Sequence, residues 1–101
     1  DITKLGLKVT ELSKSIREQF GLPKDISGLV VIGVDQNSDA WEKGLRRGVI
    51  IVEIQQREVT TASEAEKVIA EALKNKKSVV LLRTRSGDQF RLLAVKINAD
   101  G

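Results

Sequence analysis

Ser38-Asp39-Ala40-Trp41-Glu42-Lys43-Gly44-Leu45-Arg46-Arg47-Gly48-Val49-Ile50-Ile51 is the stretch whose reading decides the fold. Ser38 or Asp39 can cap a helix of one to two turns running to Lys43, and Glu42 is favourable near its N-terminus. Gly44 stops that helix, and Gly48 permits a second tight turn. Residues 49–54 then form a strongly apolar strand. Upstream, Leu29-Val30-Val31-Ile32-Gly33-Val34 is a continuous β-rich run, as expected of a central strand buried on both faces. Residues 35–38 are polar turn material between that strand and the short helix.

Working outward, residues 5–11 read as a first strand, with Leu7, Lys8, Val9, Thr10 and Glu11 alternating apolar and polar. Ser13 can cap a short helix whose Ile16 and Phe20 lie four apart, with Leu12 one step before the cap. Gly21 and Pro23 end it. On the other side, residues 55–58 read as a turn followed by a very short strand at Val59. The longest helix is expected from Ala62 or Ser63 to Lys74, capped by Thr61 or Ser63. Its apolar residues Ala65, Val68, Ile69, Ala72 and Leu73 recur at helical spacing. Periodicity leaves two readings open: Ala65, Val68 and Ala72 face the core while Ile69 and Leu73 drift to its edge, where they can line a groove, or all five are simply core. Residues 78–85 and 89–97 form two strands joined at Ser86-Gly87-Asp88, with Leu93, Val95 and Ile97 alternating inward. Residues 98–101 read as a loose tail.

Composition excludes several function classes. The chain has 101 residues, 41% hydrophobic and 31% charged, enough for a single domain with one modest core. It contains no cysteine and no histidine, which removes thiol and Ser-His-Asp nucleophile systems and the usual zinc sites. The carboxylates show no calcium-loop spacing and no obvious pair, so neither catalysis nor a metal or other cofactor is expected. Net charge is +3 from 17 basic and 14 acidic residues, and the basic residues are scattered. Arg46-Arg47 and Lys74-Asn75-Lys76-Lys77 sit at helix C-termini, where cations favour the dipole. With one Trp and two Phe, no base-stacking platform for nucleic acid is expected. No apolar run approaches the roughly 20 residues of a membrane span, so direct membrane insertion is not expected. The absence of methionine and the start at Asp1 without a leader suggest a segment of a longer precursor.

At the N-terminal end, Lys4-Leu5-Gly6-Leu7-Lys8-Val9 places a glycine between two leucines at strand entry. Lacking a Cβ, glycine lets a loop turn its N–H groups inward and lets a foreign backbone approach, so an anionic chain end can dock there. A strand left at a sheet edge can accept a peptide as an extra strand.

The Gly28-Leu29-Val30-Val31 run followed by residues 38–51 resembles the signature of bacterial-type PDZ domains, S-P-A-A-x-x-G-L-x-x-G-D-x-I: both glycines, the leucine, the first alanine and the last isoleucine match. The insertion at residues 13–23, ending Phe20-Gly21-Leu22-Pro23, resembles PDZ domains of HtrA/Do (DegP-like) serine proteases, in particular the second, C-terminal PDZ domain of periplasmic members. The resemblance implies an α+β PDZ fold: a small, partly open antiparallel β-barrel or sandwich of five to six strands with one long and two short helices. The chain would be a single PDZ domain over residues 1–101, its core at about 4–97.

The same resemblance puts a carboxylate-binding loop on Lys4, Leu5, Gly6 and Leu7. A peptide backbone would pair along Leu7, Lys8 and Val9, with its last side chain in a pocket of Leu5, Leu7, Ile69 and Leu73, and Glu66 and Ala70 flanking the upstream residues. It implies a non-catalytic module whose parent carries a catalytic triad in a separate domain. The partners implied are C-terminal or unfolded protein segments and other domains and subunits of a periplasmic protease. An assembly module of the oligomer, its groove closed by a neighbouring subunit or by its own insertion helix, is the alternative. Three residues depart from the pattern: Asp39 replaces proline, Val49 replaces aspartate, and Trp41 replaces a small residue and is either buried or offered to a neighbour. None of the three is expected to touch the groove.

Overall fold

A hydroxyl side chain opens each α-helix. Residues 2–97 are described in the computed structural model, so the tail at residues 98–101 lies outside the described residues. The Ile16 N–H donates to Ser13 Oγ at 3.2 Å at the head of α1 (Lys14–Phe20), and the Trp41 N–H donates to Ser38 Oγ at 3.2 Å at the head of α2 (Asp39–Glu42). Thr61 caps α3 (Ala62–Lys74) in a reciprocal box: the Glu64 N–H donates to Thr61 Oγ1 at 3.0 Å, and the Thr61 N–H donates to Glu64 Oε1 at 3.1 Å. The Thr60 N–H and hydroxyl also donate to that carboxylate, and these bonds, led by the Thr60 N–H, hold the Glu64 carboxyl below its ordinary range.

The strands are β1 (Leu7–Glu11), β2 (Leu29–Val34), β3 (Ile50–Ile54), β4 (Arg57–Glu58), β5 (Val79–Ser86) and β6 (Gln89–Lys96). They form one antiparallel sheet in the order β1-β2-β3-β5-β6, with β4 attached to β3. Because β1 and β6 do not pair with each other, the sheet is only partly closed. Adjacent residues of β2 point to opposite faces, as the pleat requires. Leu29 and Val31 join Ile51, Ile54, Leu82 and Val95 and the α3 residues Ala65, Val68, Ile69 and Ala72 in the main core. Val30 joins Ile26 and Ile50 in a smaller cluster closed by Leu12, Ile16, Phe20 and Leu22 from around α1. The expectation of a strand buried on both faces therefore holds for the first half of β2; Ile32, Gly33 and Val34 are half-buried.

The structure differs from expectation at three places. First, β1 begins at Leu7 rather than at residue 5. Thr3–Leu5 form a single 3-10 turn closed by Gly6 at φ 69°, in the left-handed region. A Cβ on Gly6 would also stand 2.8 Å from the Ser38 Cβ and 3.2 Å from the Asp35 Cβ, so both conformation and space demand glycine here.

Second, the short strand is Arg57–Glu58, not Val59, which is instead a buried core residue. Gln55 and Gln56 make the two-residue turn with φ of 54° and 65°. Gln55 is held by Leu81, whose carbonyl accepts the Gln55 N–H at 2.8 Å and whose N–H donates to Gln55 Oε1 at 2.7 Å. Third, the two readings of the α3 stripe divide between its residues: Ile69, 2% exposed, is core, while Leu73 is half-buried at the edge.

Candidate functional site

The site is built where the edge strand β1 meets α3. Leu7 and Val9 point into the core, and Ile69 descends from α3 onto the same cluster. Between α3 and the segment of residues 2–4 that leads into β1 lies a groove of about 290 Å³, lined by Ile2, Thr3, Lys4, Glu66, Ile69, Ala70 and Leu73. Its floor is apolar, from Ile2, Ile69 and Leu73, and the exposed Glu66 and Ala70 stand at its helical rim.

Five of the residues singled out from sequence, Lys4, Glu66, Ile69, Ala70 and Leu73, are thus brought together at one groove. Leu5 and Leu7, each 2% exposed, lie in the core cluster with Ile69 and do not line that groove. Gly6, Leu7 and the exposed Lys8 instead line a cavity of about 440 Å³ with Thr3, Gly33, Val34 and Asp35. Val9, 8% exposed, lines neither. A third cavity of about 260 Å³ joins Lys4, Leu5 and Gly6 to Ser38, Asp39 and Lys96, among others. Asp39, expected to be remote, therefore borders the loop.

Ile2 and Thr3 were not singled out from sequence. Both Leu5 and Leu7 donate their N–H groups to the Ile2 carbonyl at 3.1 Å, and the Gly6 N–H donates to the Thr3 carbonyl at 3.1 Å. Three of the four loop amides expected to face an anion, those of Leu5, Gly6 and Leu7, each have an acceptor within the chain itself. The Ile2 N–H completes an antiparallel bridge by donating to the Leu7 carbonyl at 2.8 Å. An apolar residue ahead of a glycine turn was the only available sequence signal, and it has no periodicity to mark it.

Asp39 is the most constrained carboxylate nearby. Its Oδ2 accepts the Lys96 N–H at 2.8 Å, and its two oxygens accept from the Lys43 ammonium at 3.2 and 3.3 Å. The Lys96 bond holds its carboxyl below the ordinary value, against desolvation, with the Lys43 ammonium adding to the effect. Trp41 is half-buried and covered by the Arg46 guanidinium at 3.5 Å from the ring centroid. Among the described residues no cluster of acidic side chains is placed to hold a metal ion, and no helix is long and apolar enough to cross a membrane.

The PDZ domain family profile matches residues 3–97. The chain is 40% identical over 77 residues to a Brucella suis protein named "probable periplasmic serine endoprotease DegP-like", a match covering 76% of this chain and 15% of that protein. A Chlamydia trachomatis protein of the same name is 30% identical over 96 residues, covering 94% of this chain and 18% of its own length. The chain thus spans less than a fifth of these relatives.

Among solved structures, the HtrA3 PDZ domain bound to a phage-derived ligand (FGRWV) superposes with a TM-score of 0.71 at 27% identity, covering 91% of this chain and 81% of that one. The HtrA-type protease AlgW with a decapeptide gives 0.77 at 22% identity, covering 92% of this chain and 28% of that one; at that identity the likeness is one of fold. An open antiparallel sheet, a long helix beside its first strand and a glycine turn at that strand's entry, matched by the family profile over nearly the whole chain, make this chain a member of the PDZ domain family.

Proposed function

We propose that the chain is the non-catalytic peptide-binding module of an HtrA/Do-type serine protease, taking C-terminal or extended apolar segments of substrate proteins for protein quality control in the periplasm. The observation that carries this reading is the apolar groove between α3 and the segment of residues 2–4 that leads into the edge strand β1. An extended peptide would add to β1 along Leu7, Lys8 and Val9 by main-chain hydrogen bonds. Its terminal carboxylate would be received by the amides of the Lys4-Leu5-Gly6-Leu7 loop, since bonds to an anion are the stronger kind. Its last side chain would settle over Ile69 and Leu73, backed by Leu5 and Leu7, while Glu66 and Ala70 bear on the residues before it. The names of the homologous proteins and the peptide-bound states of the structural neighbours support the reading. The HtrA3 ligand ends in valine, an apolar residue of the size this groove would take. The catalytic triad would belong to a separate domain of the parent, of which this chain would be the second PDZ domain.

The test is a backbone NMR titration with free-acid peptides ending in Val, Leu, Phe or Ala, with C-terminal amides as controls. Shifts at residues 5–9 and 66–73 that vanish on amidation are expected. Equal binding of the amides would refute carboxylate recognition.

A second reading, an assembly module that contacts other domains or subunits of the protease, is favoured by a different observation. Phe90 and Leu92, 52% and 63% exposed, share the outward face of β6. Silence of the groove toward every peptide in a folded sample would shift the assignment to that role.

A further inference from the structure

The inference concerns the regulation of the same groove and rests on the peptide-binding reading. Ile2 makes three of the contacts that the last residue of a bound peptide would make there: with the Leu5 and Leu7 amides, with the Leu7 carbonyl and with the apolar cluster. Its carbonyl oxygen accepts from Leu5 and Leu7, two of the amides that would otherwise meet a terminal carboxylate. Its N–H donates to the Leu7 carbonyl, the first main-chain acceptor on the outer edge of β1. Because Ile2 and Leu7 exchange both hydrogen bonds, their side chains lie on the same face of the sheet. That face is the core side, and Ile2 is 2% exposed in one cluster with Leu5, Leu7 and Ile69.

We infer that the domain rests in a self-occupied state, with Ile2 standing in the seat of a ligand's terminal residue, and that peptide binding requires its expulsion. The remaining 290 Å³ groove is the part of the site that Ile2 leaves open, with Ile2 itself in the lining. The competition is uneven in a useful way. Ile2 offers one neutral carbonyl oxygen, whereas a free-acid peptide offers a carboxylate, whose hydrogen bonds to the same amides are stronger. An internal chain end or an amide offers no such advantage, and it must also overcome the high effective concentration of a tethered competitor. Self-occupation thus raises the threshold for every ligand and sharpens the preference for a carboxylate following an apolar residue. Binding is also coupled to the N-terminal segment, because that segment must leave β1 for the peptide to enter.

Two measurements test this on the same chain. In one, the affinity of a free-acid peptide ending in valine is compared between the native chain and Ile2→Gly. Removing the competing side chain raises the binding-competent fraction, so an affinity gain of about tenfold is expected. In the other, the Ile2 methyl resonance of the native chain is followed during titration, and it should move from a core position toward a solvent-exposed one in step with occupancy. This readout stands even if Ile2→Gly does not fold. Equal affinities, or an Ile2 methyl that stays in its core position while the β1 and α3 amides shift, would overturn self-occupation and leave the peptide-binding reading intact. Absence of any amide shift in both proteins would instead defeat the peptide-binding reading, and the inference with it.

Discussion

The sheet has two edges, and they are protected by opposite means. At β6 the guard is fixed. Asp39 accepts the Lys96 N–H at 2.8 Å, and α2 packs against the strand. Arg91 and Lys96 add charge along it, a common defence against edge-to-edge pairing. At β1 the guard is one residue, Ile2, held by main-chain bonds to Leu5 and Leu7 beside an apolar groove. A carboxylate built into a helix start holds the C-terminal end of β6 in place, whereas a short tethered segment covers the start of β1 only until something binds better. On the peptide-binding reading, the difference makes β1 the edge proposed for strand addition.

The largest effect that would break this comparison is expected at Gly6. Gly6→Ala places a Cβ within 2.8 Å of the Ser38 Cβ and 3.2 Å of the Asp35 Cβ, on a backbone already at φ 69°. Left-handed strain and overpacking together predict a loss of about 3 kcal/mol. Urea denaturation measures it; a loss below about 1 kcal/mol would mean that the loop rearranges freely and that its geometry is not fixed by packing on the Asp35–Ser38 turn.

The corresponding change at the β6 edge is Asp39→Ala. It removes the acceptor of the Lys96 N–H and the partner of Lys43, for an expected cost of about 2 kcal/mol, as for a hydrogen bond to a charged group. The effect carries a pH signature. The folded-state pKa of Asp39 lies below its ordinary value of 3.8. The stabilisation is therefore fully present above that value and is lost as pH falls through the depressed folded pKa. The stability gap between native chain and variant should be flat from neutral pH to about 5 and narrow in more acidic solution. A gap that widens on acidification would contradict the assignment.

A smaller effect is expected at Thr61, whose cap serves α3 and hence the groove wall. Thr61→Ala should cost about 1 kcal/mol, and the change should appear as faster amide exchange in the first turn of α3. Unaltered exchange there would mean that Thr60 and Glu64 hold the helix start without it.

These residues also show how much the chain discloses before its structure is known. Caps are local, so Ser13 could be placed on its helix and the cap of α3 narrowed to Thr61 or Ser63, and the apolar run of β2 marks that strand to the residue. The Leu5-Gly6-Leu7 alternation looked like strand entry because periodicity does not register a left-handed glycine. The Gln55-Gln56 turn escaped because its support comes from Leu81, distant in sequence. The Asp39 bond to Lys96 spans 57 positions and leaves no trace in local pattern. Ile69 reads equally as core or as the edge of its stripe, because a helical wheel sees only its own helix. Its burial depends on a core and groove floor shared with Ile2, a residue outside every recognisable element. Ile69 and Leu73 could be placed on α3 from the pattern and Glu66 and Ala70 from the resemblance, whereas nothing in the sequence pointed to Ile2 beside them.

The smallest expected effect on stability sharpens the comparison from the other side. β6 also turns Phe90 and Leu92 outward, with the Arg83 and Arg85 guanidinium groups 5.4 and 5.3 Å from the Phe90 ring centroid. Exposed cation–π contacts contribute less than about 1 kcal/mol, so the double substitution Phe90→Ser, Leu92→Ser should leave the melting transition nearly unchanged. Its effect should lie in association. Sedimentation velocity over a concentration series is expected to show weaker self-association of the variant than of the native chain, as the assembly reading requires of an apolar face ringed by arginines. Identical sedimentation would mean that the face is idle in the isolated chain. The two edges would then differ only in how they are guarded, and β1 would be the only one of the two with a demonstrated capacity to receive a partner, provided the peptide titration succeeds.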